Sequence, residues 1–101
     1  MIRGTTPTLR FKIPYTEKQI QLGYLTFSRG SSVFLDIPLT DERISVEDYY
    51  IYLTLSQEDT LKFNSRAVYS IQIRLLLEDD IAVASNIMTI PISAILKNGV
   101  I

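Results

Sequence analysis

Residues 69–77 alternate without a break. Tyr69, Ile71, Ile73, Leu75 and Leu77 fall on one side; Ser70, Gln72, Arg74 and Leu76 fall on the other. Successive side chains of a strand point to opposite faces, so period two means a strand with one buried face. A strand this long needs neighbours beside it and a second layer over its apolar side. Whatever else the chain does, it must build a sheet and cover it.

The remaining runs agree. In residues 8–14, Leu9, Phe11 and Ile13 alternate with Thr8, Arg10 and Lys12 before Pro14 stops the ladder. Residues 22–28 and 32–39 flank a short loop with Gly30, the pattern of a hairpin. Strict alternation there puts Val33, Leu35, Ile37 and Leu39 on one face and Phe34, Asp36 and Pro38 on the other. Residues 40–48 read as a turn and a short strand. Residues 49–55 place Tyr49, Ile51, Leu53 and Leu55 on one face, with Tyr50, Tyr52 and Thr54 opposite. Ser56 is a helix N-cap with Glu58 and Asp59 in the first turn; one or two turns follow, with Leu61 and Phe63 reaching back to the core. Glu78, Asp79 and Asp80 form a turn, and residues 81–92 are the returning strand. A further helical turn is expected at Ala94, Ile95 and Leu96.

The count is about seven short strands with turns every eight to twelve residues, which suggests an all-β antiparallel sandwich. At 101 residues it forms a single domain, with no linker or repeat. No helix is long enough for a parallel crossover.

Composition narrows the chemistry. There is no Cys and no His, which removes thiol nucleophiles, the Ser-His-Asp triad and zinc sites built on thiolate or imidazole. Glu58-Asp59 and Glu78-Asp79-Asp80 are adjacent acids in turns, not carboxylates facing across a cleft, and they lack the spacing of a calcium loop. Gly4, Gly23, Gly30 and Gly99 are too dispersed to cradle a phosphate. A net charge of −1 argues against nucleic acid. No run approaches the length of a membrane span, and the start has no signal-peptide core, so a cytoplasmic origin and no membrane partner are expected. No enzyme activity, cofactor or metal is expected.

The hydrophobic fraction is 47%, and several strands carry apolar residues on both faces. Phe34 opposes Val33 and Leu35; Leu76 opposes Leu75 and Leu77; Val83 and Ala84 are neighbours. A small sandwich buries one face per sheet, so the surplus points to burial against a partner. The candidate interface residues are Phe34, Tyr50, Tyr52 and Leu76, with an arm of residues 3–8, including Arg3, Thr5 and Thr6, as a reaching segment. Apolar faces and strand edges would supply the contacts. Alternatively, Tyr50 and Tyr52, with Arg10, Lys12 or Arg74 nearby, form a stacking platform for a sugar.

The opening Met1-Ile2-Arg3-Gly4-Thr5-Thr6-Pro7-Thr8 resembles that of small proteins encoded in the tail-module regions of phages and prophages of gram-positive bacteria. The stretch Thr54-Leu55-Ser56-Gln57-Glu58-Asp59-Thr60-Leu61-Lys62-Phe63 is similar to their middle segment, and residues 69–75 and 84–90 are similar to two of their strands. The likeness spans most of the chain and is weakest over residues 20–49. The pattern is similar in turn to the N-terminal domain of phage baseplate upper proteins, Ig-like β-sandwiches that hold receptor-binding machinery on the tail. The resemblance implies an Ig-like fold, no catalytic residues, a place in the virion after assembly in the host cytoplasm, and partners among other tail or baseplate proteins or copies of itself. The chain departs from many relatives in lacking their Cys residues.

Overall fold

The computed structural model describes residues 1–93, so the turn expected at Ala94, Ile95 and Leu96 lies outside the described residues. The eight strands among them are β1 (Thr8–Lys12), β2 (Ile20–Arg29), β3 (Ser32–Pro38), β4 (Ile44–Glu47), β5 (Tyr50–Thr54), β6 (Val68–Leu77), β7 (Ala82–Ala84) and β8 (Met88–Pro91). A 3-10 turn at Glu17–Gln19 and one short helix, α1 (Gln57–Leu61), complete the elements. They form two antiparallel sheets, one ordered β1-β5-β4 and the other β3-β2-β6-β7, with β8 also paired to β6. The chain is an all-β sandwich.

Inward residues of both sheets meet in one core. Ile51, Leu53 and Leu55 come from the smaller sheet side; Leu25, Phe27, Ile71 and Ile73 come from the larger. Burying each such side chain fully contributes about 1.5–3 kcal/mol. Phe63, just after α1, is fully buried and stands edge-on to Phe27 at 5.8 Å and to Tyr69 at 4.8 Å between ring centroids. The Tyr69 hydroxyl accepts a hydrogen bond from the Asn64 amide at 2.9 Å, so its polar end is satisfied inside the core. Leu61, expected to reach the core with Phe63, is only half-buried.

Two departures from strict alternation matter. In the β2–β3 hairpin, Phe27 pairs with Leu35 but Ser28 pairs with Val33, so Phe34 is an extra residue in a bulge. The bulge turns Val33 outward, 67% exposed, and swings Phe34 onto Phe63 and Tyr69 at 4.8 and 5.0 Å. The face assignments of Val33 and Phe34 are therefore the reverse of the period-two expectation.

The second departure splits the strand expected over residues 81–92. β7 pairs Arg74 with Ala84, whereas β8 pairs Ile71 with Met88. Residues 85–87 thus oppose only Gln72 and Ile73. Ser85 holds the break: its hydroxyl accepts from the Ile73 amide at 3.0 Å, and its own amide donates to the Ile73 carbonyl at 2.8 Å. Tyr49, expected on the buried face, precedes β5 and is 49% exposed; Asp48 before it takes a positive φ of 52° and turns the chain.

Candidate functional site

The arm of residues 3–8 is not a reaching segment; it is docked. Arg3 donates from Nε to the Phe63 carbonyl and from Nη2 to the Leu61 carbonyl, both at 2.7 Å. The end of a short helix leaves carbonyls without partners, and this guanidinium supplies them. The buried Thr60 hydroxyl accepts from the Gly4 amide at 2.9 Å and donates to the Thr5 carbonyl at 2.8 Å. Met1, Arg3 and Ser93 exchange backbone bonds beside it. Arg3 and Thr5 are thus structural parts of a latch between the arm and α1. Residues 1–8 and 54–63 supply the two halves of that latch.

Thr6 is exposed at the rim of an open cleft of about 490 Å³ that also holds Asp41, Arg43, Ser56 and Asp59. Glu42 lines it too, and the cleft's other charges pair with one another. Arg43 donates to both Asp41 oxygens, at 2.9 and 3.0 Å, and to Asp59 Oδ1 at 3.2 Å. The Arg43 hydrogen bonds and charge hold the Asp41 carboxyl down at about 2, and the Asp41 pairing raises Arg43 in turn. Burial pushes Asp59 up, but the Ser56 amide and the Arg43 charge outweigh it and keep its pKa low. The Ser56 hydroxyl accepts from the Asp59 amide at 3.1 Å, closing a capping box. This cluster staples the turn before β4 to the start of α1. Among the described residues no group of three acids or other metal-ligating side chains is gathered in one place.

The remaining candidates fall on opposite sides of the molecule. Tyr50 and Tyr52 share the outer face of the smaller sheet, half-buried, with ring centroids 6.1 Å apart and a 39° tilt. Register puts Lys12 and Glu47 beside Tyr50, and Arg10 and Ser45 beside Tyr52. The Arg10 guanidinium lies 5.0 Å from the Tyr50 ring centre and covers it. Phe34 packs inward, as described above, and offers no outer surface to join them.

Leu76 lies on the outer face of the larger sheet, opposite Leu22. Leu22 is 45% exposed. With Tyr24, Ala82 and Ala84 they line a shallow groove of about 330 Å³, beside Arg74. A second groove of about 340 Å³ starts from the same Leu22 and Tyr24 and runs to Pro38 and Val46. Arg74 stands 5.7 Å over the Tyr24 ring, so it belongs to this face and not to the Tyr50–Tyr52 pair. Sequence reasoning picked out Leu76 but missed Leu22 and Tyr24. Their signal was present: around Gly23 both the inward and the outward positions of β2 are apolar.

Compared with protein-family models, with curated proteins and with solved structures, the chain matches none.

Proposed function

We propose that this chain is a non-enzymatic structural or adaptor protein of a phage or prophage tail module, working through protein–protein contact. The observation that supports it is the apolar outer face of the larger sheet, where Leu22, Tyr24 and Leu76 border one groove, and a second leads from Leu22 and Tyr24 round the sheet border to Val46 of β4. The resemblance of residues 1–8 and 54–63 supplies the tail-module part of the reading. Its partners are other tail or baseplate proteins or further copies of itself. The test is mass spectrometry on tail particles purified on a density gradient from the source cells. A fixed ratio of this chain to the tail proteins is expected; its absence from the particles contradicts the reading.

The second reading is carbohydrate binding at Tyr50 and Tyr52, favoured by the two rings lying side by side on one outer face. A pyranose stacks on an open ring face, and Arg10 already covers Tyr50, which leaves Tyr52 as the main platform. Titration with host cell-wall polysaccharide fragments tests it: Tyr52→Ala must abolish whatever binding is seen.

A further inference from the structure

The outer face of the larger sheet has a charge pattern that points to its occupant. At the paired outward positions of β3, β2, β6, β7 and β8, the charged side chains are Asp36 and Arg74. The rest are apolar, as at Leu22, Tyr24, Pro38 and Leu76, or polar and uncharged, as at Thr26, Ser28, Ser70 and Gln72. Asp36 sits on β3 beside Thr26, and Arg74 sits on β6 beside Tyr24, so the two charges flank β2 on opposite sides and one outward step apart. Each is already held by a β2 neighbour. The Thr26 hydroxyl donates to Asp36 at 2.7 Å, and Arg74 stacks on Tyr24.

We propose that this face self-associates, a second copy of the chain packing on it through a two-fold axis near Tyr24 and Thr26. The proposal rests on the adaptor reading and names its partner. In an isologous contact each pairing occurs twice. An axis that brings Arg74 over Asp36 of the second copy also brings Asp36 over Arg74 of that copy. Two ion pairs then flank an uncharged centre of Tyr24, Thr26, Pro38 and Gln72, and no charge is buried against its like. The face is neutral in sum and already contains both members of its own complement. A partner of another sequence would have to supply that same pattern.

The area sets the strength. Strand spacing of about 4.8 Å and a rise of about 3.4 Å per residue give the outward positions roughly 500 Å² in projection. A standard interface uses about 800 Å² of accessible surface per partner, and side-chain relief brings this face toward that figure. The dimer is therefore reversible and dissociates on dilution through roughly the micromolar range.

Sedimentation equilibrium of the whole chain over a wide concentration range tests this. The expected result is a monomer–dimer equilibrium that Tyr24→Glu weakens at least about tenfold, since it sets a carboxylate beside the two-fold axis, where it meets its own copy. Arg74→Glu and Asp36→Arg each weaken it about tenfold, and the double variant returns to within about threefold of the parent. Tyr52→Ala, on the opposite face, leaves it unchanged. Circular dichroism melts establish that each variant is folded. A parent chain that stays monomeric to millimolar concentration overturns the inference, as does a dimer indifferent to Tyr24→Glu. A double variant no tighter than the singles overturns the ion pairing. A monomer that still co-purifies with tail particles sinks self-association and leaves the adaptor reading standing; a dimer absent from the particles does the opposite.

Discussion

Arg3 caps the helix end at Leu61, donating to its carbonyl at 2.7 Å across a sequence separation of 58 residues. The same guanidinium holds the Phe63 carbonyl, so one side chain fixes the N-terminal arm, the end of α1 and the segment that carries Phe63 into the core. Hydrogen bonds to a charged group contribute about 1.5–3 kcal/mol. Arg3→Met is expected to lower stability by about that amount, read from the urea midpoint. Arg3→Lys recovers only part of the loss, because an ammonium cannot reproduce the planar fork.

Gly23 is required by space. A Cβ at this position would lie 2.7 Å from Leu75 Cδ2, 2.8 Å from Leu39 Cδ1 and 3.0 Å from the Arg74 carbonyl oxygen. The two leucine methyls can yield; the backbone oxygen cannot without moving β6. Gly23→Ala is expected to cost about 1–3 kcal/mol. Calorimetry should show a drop of roughly 4–8 °C in Tm per kcal/mol lost. An unchanged Tm would mean that the β2–β6 pair relaxes freely.

Phe34 and Tyr52 should separate core from surface. Phe34 fills the gap between Phe63 and Tyr69, and its truncation to alanine is expected to cost about 2–4 kcal/mol, somewhat under the range for a fully buried phenylalanine. Tyr52→Ala should cost about 1 kcal/mol or less, being half-buried on an outer face. Chemical denaturation of the two variants side by side checks the ordering. Equal losses would contradict the inward placement of Phe34.

Acid sensitivity should trace to the Arg43 cluster. The Asp41 carboxyl sits at about 2, below its ordinary 3.8, because Arg43 hydrogen-bonds it. The folded state therefore binds this proton less readily than the unfolded state. The contribution of the pair is complete above 3.8 and is lost as the pH falls through about 2. Asp59 is lowered as well and adds in the same direction. Asp41→Asn is expected to flatten this limb of the stability–pH curve, measured by urea midpoints across that window. A variant with the parent's full acid limb would remove Asp41 from the account.

The two-layer fold was legible because β5 and β6 obey alternation: every inward position from Tyr69 to Leu77 and the inward positions Ile51 and Leu53 are where period two puts them. The misplacements arise where one residue is added to a strand. A bulge shifts the side-chain phase, and nothing in the residues around Phe34 or Ser85 announces it; the hydrogen bonds that hold the shift come from a neighbouring strand. The arm was misread for a related reason. Arg3 looks like an exposed cation in sequence, and only the fold brings unpartnered carbonyls to it. Leu76 was legible as a surplus apolar residue, but its neighbours Leu22, Tyr24 and Ala82 became one surface only through the register of β2, β6 and β7.

The break at residues 85–87 limits how copies of this chain can add to one another. That margin of the sheet offers an incoming strand only the short runs of β7 and β8, out of step by one residue, so no continuous ladder can form along it. At the other margin β3 carries its own bulge at Phe34 and ends in Pro38, which has no amide to donate. Among the described residues, both borders of the larger sheet are therefore poor templates for cross-β growth. Copies of this chain brought to high local concentration therefore find no continuous ladder to extend at either border of the larger sheet.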